Sequence, residues 1–122
     1  MTENLWKVKN LEVLNLDPKL IDLADAVKAK WQLYIVTSAY RPGDPGVHGT
    51  NPTRGLDLRC SDDYTGRIVV DWVNALWEYD PERPTMVCCI YHDVGFGRHL
   101  HLQVCANTRK KDLSRTNGKM PV

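Results

Sequence analysis

Three side chains that could together hold a metal ion occur in two short segments of the chain, SAYRPGDPGVHGTNPTRGLDL and GRHLHLQV. They are His48, Asp57 and His101. Two neutral imidazoles and one carboxylate are a donor set that Zn²⁺ accepts, and three protein ligands leave its fourth position open for water. The residue types therefore predict a zinc site of the catalytic kind, which points to hydrolysis.

Strand alternation supports this set at two places. Side chains of a strand alternate between its faces, so in RHLHLQV the residues His99, His101 and Gln103 share one face and the leucines share the other. In GLDL, Asp57 stands between two leucines and points away from the apolar face in the same way. His48 lies in the loop that leads into this strand. A lone histidine is usually solvated or hydrogen-bonded, but the histidines here are clustered together with an aspartate and an arginine-containing loop.

The elements that must position these residues follow from apolar spacing and turn residues. Asp17 and Pro18 predict a helix start, and apolar residues at helical spacing extend the helix over about 18–30. β-Branched and aromatic residues predict a strand at 33–38. The prolines and glycines that follow predict a long loop up to residue 54.

The second half of the chain alternates between strand and helix patterns. GLDLR at 55–59 predicts a short strand, and the apolar stripe over about 65–78 predicts a second helix closed by the turn DPERP. TMVCCIYHD and RHLHLQVC predict an antiparallel hairpin about a VGFG turn. The predicted fold class is α+β, with a small antiparallel sheet and helices packed against it.

Composition limits the partners that we expect. The chain has 122 residues, enough for one domain, which we place at 1–106, followed by a basic tail of little packed structure at 107–122. Lys and Arg number 16 against 15 Asp and Glu, so charge gives no case for nucleic acid as a partner. The N-terminal segment is interrupted by charges, so we expect no export signal and no membrane span. We therefore expect a monomer that is cytoplasmic as synthesised.

The cysteines do not suggest a metal or disulfide site. Two of the four, Cys88 and Cys89, are adjacent, and no close CxxC pair exists. Without an export signal, reduced and buried thiols are the expectation.

At the residues of the predicted metal site, the chain resembles zinc D-alanyl-D-alanine carboxypeptidases and endolysin peptidases, within the fold group that includes the hedgehog signalling domain. Ser38 and Arg41 match the first part of the family pattern in SAYR, His48 and Asp57 match the second in HGTNPTRGLD, and His101 matches the last in HLHLQV. The resemblance covers about residues 18–105 and rests on the combination of these motifs.

The resemblance implies a hedgehog/DD-peptidase-like fold and a substrate. Zn²⁺ would be bound by His48, Asp57 and His101, while Arg41 would contact a substrate carboxylate or carbonyl and Ser38 would line the same site. The substrate would be the peptide stem of bacterial peptidoglycan, cut as a D,D- or L,D-carboxypeptidase or endopeptidase. Such an enzyme would be made in the cytoplasm and would reach the cell wall after release through a separate pore, as a phage lysin does.

The chain departs from the family pattern at two places. The His48 to Asp57 separation is two residues longer than usual, which predicts a small turn within TNPT. Many relatives carry an acid three residues before the last ligand, where this chain has Arg98. The resemblance therefore leaves the identity of the general base open.

His99 is our candidate for that base or for stabilising the transition state. Members of the wider fold group use an H-x-H pair whose first histidine assists catalysis, and GRHLHLQV fits that version. Asp93 and His92, close by in the hairpin, are alternatives. A neutral imidazole with a pKa near working pH suits proton transfer.

Two other functions remain open from the sequence. Arg98 in the usual acid position is compatible with a non-catalytic, metal-bound module that binds cell walls. The run HLHLQVC also has some likeness to the histidine-triad signature of nucleotide hydrolases, but that reading leaves SAYR, His48 and Asp57 without a role.

Overall fold

The computed structural model describes residues 15–33, 35–39, 43–93 and 98–111. Two helices and six strands are present in these ranges. In chain order they are α1 (Pro18–Trp31), β1 (Val36–Ser38), β2 (Gly55–Arg59), α2 (Asp63–Leu76), β3 (Trp77–Glu78), β4 (Cys89–Asp93), β5 (Arg98–Gln103) and β6 (Arg109–Lys110), with a short 3-10 turn at Val47–Gly49 between β1 and β2.

The main sheet has four antiparallel strands in the order β1-β2-β5-β4, and β3 pairs with β6 in a separate two-stranded ladder. The α+β class with a small antiparallel sheet is therefore confirmed. The predicted hairpin is also confirmed, since β4 and β5 pair from Cys89 opposite Leu102 to Asp93 opposite Arg98. Its predicted VGFG turn at 94–97 lies outside the described residues.

One face of the main sheet forms the core. Leu56 and Leu58 on β2 lie opposite Leu102 and Leu100 on β5, and all four are buried. They belong to one cluster with the apolar stripes of both helices. Burying a leucine side chain in this way is worth about 1.5–3 kcal/mol relative to exposure. The opposite face of the same two strands is thereby left to the polar side chains.

Both helices begin at an aspartate cap. Asp17 accepts a hydrogen bond from the backbone N–H of Lys19 at 2.8 Å, with Pro18 at the first helical position, as predicted. Asp62 caps α2 by accepting from the Thr65 N–H, so that helix begins two residues before the predicted start at 65. It also ends earlier, at Leu76, because the next two residues are extended and pair with β6.

The expectation of little packed structure from residue 107 onward is wrong for the first residues of that segment. Thr108 is buried and its hydroxyl donates to the Tyr79 carbonyl at 2.7 Å. Arg109 and Lys110 pair with β3, and the Lys111 N–H donates to the Leu76 carbonyl. Backbone pairing needs no apolar side chains, which is why composition gave no sign of it. Residues 112–122 lie outside the described residues.

The cysteines follow the prediction. All four are free and buried. Burial raises the pKa of the Cys88 thiol to about 12, so this thiol stays protonated at neutral pH.

Within the described residues, no helix has both the length and the apolar character needed to cross a bilayer.

Candidate metal centre

Strands β2 and β5 bring two of the three predicted ligands together. Asp57 lies directly opposite His101 in the ladder, with leucine pairs on either side of it. Because neighbouring residues of a strand face opposite sides, burial of those leucines turns Asp57 and His101 to the other face. The Asp57 carboxylate oxygen Oδ1 is 2.8 Å from His101 Nδ1.

The third predicted ligand is on the 3-10 turn that precedes β2. His48 is held there by the close approach of the turn to Gly55, where an added Cβ would lie 2.5 Å from the Val47 side chain. The hydroxyl of Thr50 closes the connection by accepting from the Arg54 N–H at 2.8 Å and donating to the Val47 carbonyl at 3.0 Å. The turn predicted within TNPT is therefore present, and it places His48 Nε2 3.3 Å from Asp57 Oδ1.

The tautomer of His48 follows from its surroundings. Its Nδ1 is 2.6 Å from the carbonyl oxygen of Ala39, which can only accept, so Nδ1 carries the proton. In the neutral ring, Nε2 then has a free lone pair. This atom is buried and has no hydrogen-bond partner among the described residues. A buried nitrogen without a partner costs free energy unless something else binds it.

His101 has acceptors at both of its nitrogens. Nδ1 faces Asp57 Oδ1, and Nε2 lies 3.0 Å from the amide oxygen of Gln103. The assignment of that amide is fixed, because its nitrogen donates to the Val87 carbonyl at 2.8 Å. A neutral imidazole has one N–H and cannot satisfy both acceptors. A cation, either a second proton or a metal ion, is required between His101 and Asp57.

The carboxylate favours such a cation. Asp57 is 7 % exposed. Burial alone would raise the pKa of Asp57, but the adjacent imidazoles, His101 first and then His48, outweigh it and hold the pKa well below its usual range. One ligand atom from each of the three residues lies within 4.8 Å of the others. His48, Asp57 and His101 could therefore hold a metal ion, as predicted.

Two further histidines lie beside this group. His99 is buried, and its Nε2 is 3.6 Å from the second carboxylate oxygen of Asp57, Oδ2. His92 lies opposite His99 in the hairpin, with the two ring centroids 4.6 Å apart. The structure thus brings both histidine candidates for proton transfer close to the metal group.

Asp93 and Arg98 lie opposite each other in the hairpin register. The side chain of Asp93 is outside the described part of the structure, so its role stays a prediction. Arg98 shares the strand face of Leu100, and its guanidinium is 3.3 Å from Asp63 on α2. Arg98 therefore lies on the helix side of the sheet, away from His99.

Of the two residues expected to contact substrate, only one is described. Ser38 is half-buried at the end of β1 and lies opposite Asp57 in the sheet. Arg41 lies outside the described residues, and its substrate contact stays a prediction.

Sequence reasoning did not assign the groups that orient the histidines. Gln103 could have been found, because it follows His101 by two positions and so shares its strand face. The carbonyl groups of Ala39 and Val87 belong to the backbone, and no residue type marks them.

No family model, curated protein or solved structure matches the chain. The choice of metal ion therefore has to be argued from the ligand atoms that the three residues offer. Two imidazole nitrogens and one carboxylate oxygen suit Zn²⁺ better than Ca²⁺ or Mg²⁺, which favour oxygen ligands alone.

Proposed function

We propose that the chain is a zinc-dependent peptidase that hydrolyses bonds in the peptide stem of bacterial peptidoglycan. The observation that carries this proposal is the convergence of His48 Nε2 and His101 Nδ1 on Asp57 Oδ1, at 3.3 and 2.8 Å. The resemblance to D-alanyl-D-alanine carboxypeptidases and endolysin peptidases supplies the substrate class, and a hedgehog/DD-peptidase-like arrangement of the α+β fold is part of the proposal.

Zinc is the ion proposed for the centre. Three protein ligands with mixed nitrogen and oxygen donors are typical of catalytic zinc, which keeps one position for water or substrate. When bound, zinc would lower the pKa of a water to about 7 and would polarise a carbonyl group. The single negative charge of Asp57 leaves the bound centre with a net positive charge, which favours both effects.

His99 is proposed to transfer the proton from the attacking water to the leaving amine. Its Nε2 lies 3.6 Å from Asp57 Oδ2, so it sits next to the ligand set without belonging to the three ligands. An imidazole can accept and return a proton near neutral pH. His92, whose ring contacts that of His99, is the second candidate for this role.

Arg41 and Ser38 are proposed to hold the substrate. A guanidinium can bind a carboxylate through two parallel hydrogen bonds, which suits the free carboxylate at the end of a peptide stem. Ser38 lies opposite Asp57 in the sheet.

The test is turnover on purified peptidoglycan by zinc-loaded protein, with release of new amino groups as the readout and mass spectrometry of the digested muropeptides to identify the bond. Asp57→Asn should abolish turnover. Asp22→Asn, which alters an exposed carboxylate on α1, is the matched control and should leave turnover unchanged. Zinc binding without release of amines from any peptide-stem bond would contradict the peptidase proposal.

A non-catalytic, wall-binding module is the second candidate. The observation that favours it is Arg98. This residue stands at the position where many members of the resembled family carry a catalytic acid, and its guanidinium pairs with Asp63. A module of this kind would sediment with isolated cell walls and release no amino groups. The same experiment therefore separates the two candidates.

A further inference from the structure

We infer that Gln103 is a positioning residue that prepares His101 to bind metal through Nδ1. The inference rests on the metal centre of the proposed function and does not depend on which substrate is cut. It concerns a side chain outside the proposed ligand set.

Gln103 is held in one orientation by the backbone. Its side chain is mostly buried, and its amide nitrogen donates to the Val87 carbonyl at 2.8 Å. A carbonyl cannot donate in return, so the amide oxygen must face the other way, toward His101 Nε2 at 3.0 Å. The amide therefore offers His101 an acceptor.

This acceptor decides between two states of the His101 ring. Without it, the proton could reside on Nδ1, where it would donate to Asp57 Oδ1 over 2.8 Å. That hydrogen bond would pair His101 Nδ1 with Asp57 Oδ1, and neither atom would then be free to bind a metal ion. With Gln103 accepting from Nε2–H, the Nδ1 lone pair is left for a metal ion.

The two histidine ligands differ in how they are oriented. His48 is fixed by the backbone carbonyl of Ala39, which no substitution removes. His101 is fixed by a side chain, so its orientation can be tested directly. A hydrogen-bond partner of this kind orients a metal-binding histidine and raises its basicity, and its loss typically weakens metal binding by about 10–100-fold.

The experiment compares zinc affinity among folded variants by competition with a chromophoric chelator at one fixed pH. Gln103→Met removes the acceptor at similar size and should weaken zinc binding by about 10–100-fold. Gln103→Glu keeps an acceptor for Nε2–H but cannot donate to Val87, so it should retain most of the wild-type affinity while losing stability. Gln103→Asn, which withdraws the oxygen by one methylene, serves in place of Gln103→Met if that variant does not fold.

Asn74→Leu is the matched control. The Asn74 amide also bridges buried backbone, donating to the Cys89 carbonyl at 3.0 Å and accepting from the Cys89 N–H at 3.1 Å. Its loss should lower the urea midpoint and leave zinc affinity unchanged. Wild-type affinity in folded Gln103→Met, or equal losses in Gln103→Glu and Gln103→Met, would overturn the inference. Failure of the wild-type protein to bind zinc would instead overturn the metal centre itself, and the inference with it.

Discussion

Asp57 Oδ1 lies 2.8 Å from His101 Nδ1, across directly opposed positions of β2 and β5. Because His101 Nε2 already faces the Gln103 amide oxygen, the short contact requires a proton or a metal ion between the two residues. His48 brings a second imidazole nitrogen to the same carboxylate oxygen, and that nitrogen has no hydrogen-bond partner in the described part of the chain. A metal ion satisfies all three groups at once.

Gly55→Ala should weaken zinc binding. The added Cβ would lie 2.5 Å from Val47 Cγ2 and 3.3 Å from the His48 backbone nitrogen, so the turn that carries His48 must move away from β2. We expect a loss of affinity on the order of tenfold or more, comparable to the loss of a group that orients a ligand. Chelator competition measures it, and an unchanged affinity would show that the turn does not need this close approach.

Gly66→Ala should destabilise the fold without affecting zinc. Here the added Cβ would lie 2.6 to 2.7 Å from the ring of Tyr91, on the core side of the sheet. Overpacking of this kind costs about 1–3 kcal/mol, which exceeds the gain of about 1 kcal/mol in helix propensity. Urea unfolding measures the cost. This variant is also the control for Gly55→Ala. A large drop in the zinc affinity of Gly66→Ala would mean that general destabilisation explains the loss of affinity in both variants.

His99→Gln should retain zinc and lose turnover. His99 contacts Asp57 from outside the three-residue ligand group, so metal content should stay near that of the wild type. A general base or acid typically contributes 10²–10⁴-fold to the rate, and we expect a loss in about that range. Metal analysis and peptidoglycan turnover, measured on the same sample, separate a role in proton transfer from a role as a ligand. Lost zinc would make His99 a ligand, and unchanged turnover would remove it from the mechanism.

Asp80→Asn should destabilise the protein at neutral pH and less so in acid. The Glu82 N–H and the Arg83 guanidinium donate to the Asp80 carboxylate, at 3.0 and 2.9 Å, and lower its pKa. A lowered pKa in the folded state adds stability above the unfolded pKa of about 3.9, and this contribution is lost as pH falls through the folded value.

The gap in urea midpoint between wild type and Asp80→Asn should therefore be full at neutral pH and should narrow as pH falls below about 4. Comparison of the two proteins at each pH removes the effects of other titrating groups. A gap that stays constant down to strongly acidic pH would contradict the assigned role of the carboxylate.

Local patterns predicted the parts of the fold that depend on strand alternation. The pattern of GLDLR predicts a strand over residues 55–59, the bounds of β2, and alternation about Asp57 and His101 predicts the polar face for both. The same alternation puts Arg98 on the opposite face from His99, which explains its pairing with Asp63.

The parts that sequence did not predict depend on distant partners. The apolar stripe predicts a second helix up to about residue 78, but Trp77 and Glu78 are extended and pair with Lys110 and Arg109, which lie far along the chain. Likewise, the role of Gln103 depends on the direction of the Val87 carbonyl, a backbone group that carries no residue signature.

The most direct test of the metal centre is an anomalous difference map, at the zinc absorption edge, from a crystal of the zinc-loaded protein. We predict one strong peak at the centre, about 2.0–2.2 Å from His48 Nε2, Asp57 Oδ1 and His101 Nδ1. No peak at these three residues, or zinc bound by His101 through Nε2, would contradict the account.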